Sequence, residues 1–299
     1  MGTLKQIENK MKRRVYVPVH DNPSDELRLL VDRHMSLTKT SVALDHMRRD
    51  RNVIDPTTHK PKKGEKIKCK LPEDVRDLLE ANAKHAKHEA DLLQTPMRKQ
   101  LRQLPIYEHF LSKVYGCGPV VAAYIAAEVD IHRAVKSSAL RMFFGLAVVN
   151  GRLIRRTRGQ KNTYNSGLRT RIYQMFSAMM KNGRRDNNTS KYLTIWDDYR
   201  HRAQCMAEPE KPAKALSKGR WKAADVFVED LYTIWRTLEG LPVWPSYHAA
   251  KLGYEHGGRV CVNEPRVLTL DEALAVVGEV GAVPIIEVAV RGLVGRHRA

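Results

Sequence analysis

The sequence predicts a mainly α-helical protein: a long, coiled-coil-like helical arm followed by a helix–hairpin–helix domain with a small basic β-hairpin. Three observations carry that expectation. Apolar residues recur at spacings of three and four over several long segments, the period of a helix with one buried face. A Gly-x-Gly turn joins two apolar stretches in the middle of the chain. Strand signals are few, the clearest being a short pair of apolar runs around Asn150-Gly151.

Residues 1–24 form a basic lead-in in which Arg14 to Pro18 (RVYVP) has an extended pattern. Ser24 is placed to cap a helix whose first turn carries Asp25 and Glu26, where acids complement the helix dipole. Leu27, Leu30, His34, Leu37, Ser41 and Leu44 then trace a heptad-like stripe ending near Asp50. The Pro- and Lys-rich residues 55–72 are expected to loop. A second helix is expected from Glu73 to Leu104, with Val75, Leu78, Leu79, Ala83, Ala86, Ala90, Leu93, Met97 and Leu101 on or near one face and a kink or break at Pro96. Residues 25–104 would thus make a helical hairpin, serving as an antiparallel arm or a homodimerisation element.

Residues 105–206 form the next expected unit. Within it, residues 107–131 have the pattern helix, tight turn, helix: Gly116 and Gly118 flank Cys117, and Pro119 suits a first helical position. Two short apolar runs, Leu146 to Val149 and Arg152 to Ile154, bracket Asn150-Gly151 and predict a two-residue type I′ hairpin. Helix resumes near Gly167 with Leu168, Ile172, Met175, Phe176 and Met179 on one face, and residues 186–190 (DNNTS) are expected to loop. In residues 207–245, a basic linker (207–220) precedes an amphipathic helix marked by Ala224, Phe227, Val228, Leu231, Ile234, Trp235 and Leu238. Residues 246–299 contain a capping-box pattern, Thr269 to Glu272, and then Gly-rich apolar sequence with no assigned role.

Charge supplies the main functional signal. Lys and Arg total 52 against 33 Asp and Glu, a net charge of +19. Ile131 to Arg185 contains no acidic residue and thirteen basic ones: Arg133, Lys136, Arg141, Arg152, Arg155, Arg156, Arg158, Lys161, Arg169, Arg171, Lys181, Arg184 and Arg185. Ordinary solvated surfaces mix signs, whereas a one-signed stretch suits a polyanion whose phosphates neutralise it. The bland alternative is a merely basic surface. The glycine turn fits the same ligand, because glycine permits close approach and helix N-terminal N–H groups suit a phosphate oxygen. Its alternative is a turn that only packs two helices.

Other classes find less support. No apolar run approaches the roughly 20 residues of a spanning helix, and the N-terminus lacks the apolar region of a secretory signal. Cys69, Cys117, Cys205 and Cys261 lack any Cys-x-x-Cys spacing, so neither a disulfide framework nor a zinc clip is indicated. His85 and His88 near Glu89 and Asp91, and the set His248, His256 and Cys261, are weak metal constellations; no cofactor or metal is expected. The four tryptophans, Trp196, Trp221, Trp235 and Trp244, are expected to pack, while Tyr164 is the better candidate to stack on a base or touch a phosphate.

Over about residues 14–240 the chain resembles a family of bacterial insertion-sequence transposases. In that family an N-terminal RuvC-like domain carries four acidic residues, and a C-terminal domain carries a helix–hairpin–helix and a catalytic serine. The specific match is Val114 to Val129, with Gly116, Gly118, Pro119, Ala122, Ala123, Ala127 and Glu128 in register with the family signature. Phe144-Gly145-Leu146, the run Arg155-Arg156-Thr157-Arg158-Gly159, and Asn165 with Leu168-Arg169 resemble the segments that follow it. Two departures stand out. Only about two dozen residues precede the arm, so the four-acid metal site is not expected within this chain. The stretch after the Phe-Gly-Leu reads Ala147 to Arg152 without a serine, leaving Ser166 as a substitute candidate that equally suits an N-cap-like position.

The resemblance implies a DNA-binding transposase-like protein involved in DNA transposition and recombination, with the cutting machinery lost. DNA is the expected partner, a guide RNA an alternative ligand, and the bacterial cytoplasm or nucleoid the expected location. Gly116 and Gly118 would hold one phosphate. Arg141, Arg152, Arg155, Arg156, Arg158, Lys161, Arg169 and Arg171 would line the rest of the track. The competing readings are a serine-dependent strand transferase using Ser166 and completed by a partner chain, and a structural dimer whose charge is incidental.

Overall fold

The computed structural model describes residues 24–54, 61–149, 151–157, 159–185, 188–205, 211–245, 265–278 and 282–284, and these are mainly helical. Helix α1 (Ser24–Arg48) and helix α2 (Glu73–Leu92) run antiparallel. Contacts at both ends define the direction: Arg48 pairs with Glu80 at 3.0 Å, Ser41 Oγ donates to the Ala83 carbonyl at 2.8 Å, and Arg33 reaches Glu89 at 3.7 Å. The heptad-like stripe turns inward, with Leu27, His34 and Leu37 buried. On α2 the buried positions are Ala83, Ala86 and Ala90, small side chains that leave room for a close neighbour. Leu78, expected on this face, is instead 60% exposed. Exposed ion pairs of this kind contribute only about 0–1 kcal/mol each, so the arm is held by its apolar seam.

The connection between the helices corrects the expected loop. Strand β1 (Arg51–Ile54) pairs antiparallel with β2 (Pro61–Ile67), with an irregularity between Asn52 and Ile54. Pro61–Ile67 (PKKGEKI) has no apolar alternation, so the strand period is silent there. Two antiparallel helices must be joined by a chain that doubles back, and its legs then meet and pair.

The second arm helix is two helices. After α2, the chain continues as α3 (Gln94–Leu101), with the break at Leu93 rather than at Pro96. Pro96 thus lies in the first turn of α3, where a missing N–H is least costly.

The remaining helices enclose one core. They are α4 (Pro105–His109), a 3-10 turn (Leu111–Lys113), α5 (Pro119–Glu128), α6 (Ser137–Phe143), α7 (Ser166–Arg185), α8 (Lys191–Gln204), α9 (Pro212–Leu238) and α10 (Leu270–Val277). A two-stranded hairpin, β3 (Val148–Val149) with β4 (Arg152–Leu153), separates α6 from α7, and β5 (Asn188–Ser190) pairs with β6 (Ala282–Pro284). Residues 188–190, expected to loop, are therefore extended. The expected linker 207–220 is also overturned from Pro212 onward: α9 begins there, and Ala215 and Gly219 are already buried in it. Proline at a first helical position and the good helix formers of Ala213 to Leu216 favour that start.

Helix α9 forms the axis of the core. Phe227 stacks on Phe110 at 5.7 Å and meets Phe176 and Tyr192 edge-on at 6.2 and 5.7 Å. Leu27 and Val31 of α1, Met97 and Leu101 of α3, and Leu268, Ala273 and Val277 near the C-terminus join the same buried cluster. The boundaries drawn at 104/105 and 245/246 mark changes of composition; packing runs across both. At the C-terminal side the capping box forms, with Thr269 Oγ1 accepting from the Glu272 amide at 3.3 Å and the Thr269 amide donating to Glu272 Oε2 at 2.8 Å. Asp230, 2% exposed, accepts from Lys191 Nζ (2.6 Å) and Tyr192 Oη (2.9 Å), while the same Nζ donates to the Val277 carbonyl at 2.5 Å. A buried carboxylate needs such partners, and these fasten α8, α9 and α10 together.

Candidate nucleic-acid interface

The glycine bend lies between the 3-10 turn and α5. Gly116 has φ +81°, and a Cβ there would lie 3.3 Å from the Met175 carbonyl oxygen and 3.4 Å from Met179 Cβ. Glycine is thus required by both conformation and proximity to α7. Gly118 differs: it is extended, caps α5, and has open space around a Cβ. Both glycines are exposed. Cys117 packs inward, and burial pushes its thiol up to about 12. Behind the bend, Ala122 to Ala127 of α5 are buried without interruption.

The hairpin forms in the register its Asn-Gly turn predicts, with Val148 opposite Leu153 and Val149 opposite Arg152, and Gly151 at φ +71°. Asn150 and Arg158 lie outside the described residues, as does the side chain of Arg152. Arg155, Arg156 and Lys161, on the loop between β4 and α7, are exposed. An open depression of about 480 Å³ is lined by Arg156, Thr157, Gly159 and Gln160.

The loop returns to the core at Asn165. Its Oδ1 accepts from the Gly167 and Leu168 amides (2.9 and 3.1 Å), its Nδ2 donates to Glu128 Oε2 (3.0 Å), and its own amide donates to the Phe143 carbonyl (2.9 Å). Asn165 is therefore the cap of α7, and Ser166 is the exposed first helical residue instead of the cap. Among the described residues no hydrogen bond engages the Ser166 hydroxyl. Gly167 is needed for a separate reason: a Cβ there would collide with Tyr124 Oη.

Three arginines of the expected track have internal partners. Arg141, with its side chain 11% exposed, pairs through Nε with Asp225 Oδ1 (2.8 Å) and through Nη2 with Glu229 Oε2 (3.0 Å). Arg169 donates from Nη1 to the Ile154 carbonyl (2.5 Å), and its guanidinium lies 5.1 Å from the Tyr164 ring and 5.2 Å from the Trp221 ring. Arg171 is half-buried against the Tyr124 ring at 5.6 Å, contacts Met35 Sδ at 2.5 Å and donates to Gln174 Oε1 at 2.9 Å. Burial lowers its pKa below the usual guanidinium value. Two residues apart on a helix means about 200° around it, so Arg169 faces the hairpin and α9 while Arg171 faces α1 and α5. The single continuous strip expected from sequence is thereby corrected: these three guanidiniums are committed to the fold.

Tyr164 is likewise half-buried, and a Cβ on Gly145 (φ +71°) would meet its ring at 2.7 Å. Arg133, Lys136 and Lys181 are exposed, with Lys136 Nζ 4.9 Å from the Trp244 ring. His85 approaches Glu89 at 3.8 Å, but among the described residues no group of three or more His, Cys, Asp or Glu could hold a metal ion. His248, His256 and Cys261 lie outside the described residues. Among the described residues no helix is long and apolar enough to cross a membrane.

Comparison with known protein-family models and with curated proteins finds no match to this chain.

Proposed function

We propose that the protein binds a nucleic-acid backbone through the loop between β4 and α7, as a DNA-binding relative of the transposases that the chain resembles, with the glycine bend as a second phosphate contact. The observation that carries this reading is the loop itself. Arg155, Arg156 and Lys161 project from it into solvent, within a stretch of 55 residues free of acids, while Arg141, Arg169 and Arg171 on the helices are neutralised or packed internally. Unneutralised cations repel one another on a folded surface. Phosphates relieve that repulsion and release counterions on binding, which makes affinity strongly salt-dependent. Backbone contacts of this type position a protein without reading sequence. In this reading the helix–hairpin–helix is formed by the segment from Pro105 to Glu128, with the first-turn amides of Val120 and Val121, beyond Pro119, facing a phosphate.

The test is fluorescence anisotropy with a labelled duplex over a salt series. Replacing Arg155→Glu together with Arg156→Glu should weaken binding at least about tenfold at low salt and reduce the slope of log K against log salt by about 2. Affinity unchanged at moderate salt would overturn the proposal.

A further inference from the structure

We propose that Tyr173 and Trp221, beside the basic loop, form a stacking platform for the unpaired bases of single-stranded nucleic acid. The proposal rests on the backbone-binding reading and specifies which form of nucleic acid that surface takes. The two rings come from different helices, α7 and α9, and their centroids are 6.2 Å apart at an interplanar angle of 43°. Tyr173 is 45% exposed, and Trp221 is half-buried.

Two guanidiniums bracket the pair. Arg220 lies 4.2 Å from the Tyr173 ring centroid, and Arg169 lies 5.2 Å from that of Trp221. Cation–π contacts of this kind hold a ring in place, so a tyrosine facing water here loses little further freedom when a base settles on it. Arg220 also lowers the Tyr173 hydroxyl pKa, and exposed Lys181 further along α7 contributes in the same direction. The two charged groups that act on the ring, Arg220 and Lys181, are both cations.

Arg169 connects the platform to the loop. The guanidinium that covers Trp221 also binds the carbonyl of Ile154, the residue immediately before Arg155 and Arg156. Phosphate-seeking side chains and aromatic rings are thereby held on one rigid unit. Grooves that take single strands combine these two elements, because every base offers a π-face whatever its identity. In a duplex those faces are already stacked on their neighbours, and exposing one costs unstacking energy. The platform consequently discriminates between single and double strands and leaves sequence unread.

The experiment uses the full chain with labelled oligothymidylate, oligouridylate and a duplex of matched length, at one salt concentration. Tyr173→Ala should weaken binding to the single strands about 5- to 100-fold and leave the duplex within about twofold. Tyr173→Phe, which keeps the ring, should restore single-strand binding, and adding oligothymidylate should quench tryptophan fluorescence. The relative affinities of the two single strands identify DNA or RNA as the source of the bases. Equal weakening on all three ligands, or no weakening on any, would overturn the platform while leaving the backbone reading intact. Wild-type binding to the duplex alone would do the same. Absence of binding to every ligand would overturn both.

Discussion

Arg141, Arg169 and Arg171 stand on helices of the same acid-free stretch that carries Arg155, Arg156 and Lys161 on its loop, yet the two groups end in different surroundings. Each helical guanidinium is delivered by a rigid element to a partner from elsewhere in the chain: two carboxylates of α9 for Arg141, an aromatic pair and a carbonyl for Arg169, and a tyrosine ring with Met35 for Arg171. The loop cations extend away from the core and stay exposed. Within one stretch of uniform charge, these three helical arginines build the fold while the loop cations, like Lys181 on α7, face solvent.

The largest effect that would sharpen this contrast is expected at Arg141. Arg141→Ala removes the cation that bridges Asp225 and Glu229, leaving Asp225 with Lys222 at 3.6 Å, and urea denaturation should show a loss of about 3 kcal/mol. A loss below about 1 kcal/mol would place Arg141 with the loop residues. Glycines at the two sites should differ in the same sense. Gly167→Ala forces a methyl group into Tyr124 Oη and should cost about 2 kcal/mol, whereas Gly159→Ala, at φ +79° with nothing nearby, meets only backbone strain of about 1 kcal/mol. The smallest change in stability is expected for Arg155→Ala with Arg156→Ala, within about 0.5 kcal/mol of the wild type. A larger loss would show that the loop arginines also serve the fold.

His34 offers a readout through pH. Burial first, and then the charge of Arg171, hold its pKa below 6.5, against a weaker opposing pull from Asp91. The unfolded chain therefore takes up this proton at a higher pH than the folded one. Stability contributed by neutral His34 is fully present above pH 6.5 and falls as pH drops from there towards the lower folded-state pKa. Arg171→Gln should shrink that acid-side loss, measured as urea midpoints between neutral and mildly acidic pH, and Arg155→Gln should leave it unchanged. An equal response to both substitutions would break the distinction between the two groups.

Features set by neighbouring residues are legible in the sequence. The apolar periods place most of the helices, Thr269 and Glu272 announce their capping box, and Gly151 marks the hairpin turn. The same reasoning misjudges Leu78 and the part of the expected linker from Pro212 to Arg220, because only the packed neighbours decide which of several acceptable faces is covered. It assigns the cap of α7 to Ser166 when Asn165 is one residue away with a side chain able to reach both the helix amides and Glu128. Trp221 packs as expected, but its adjacency to Tyr173 is not legible in the sequence, since it requires α7 and α9 to lie side by side.

Composition and local pattern by themselves determined a helical protein with a concentrated positive charge, a glycine-dependent bend and a short hairpin. Which of those charges remain exposed was decided only in three dimensions. Arg141 meets Glu229 across 88 positions of sequence and Arg171 meets Met35 across 136. A guanidinium is neutralised or covered by whatever lies within a few ångströms of it, however far away that partner stands along the chain. No local reading of the residues could therefore separate the arginines that the fold uses from those it leaves in solvent.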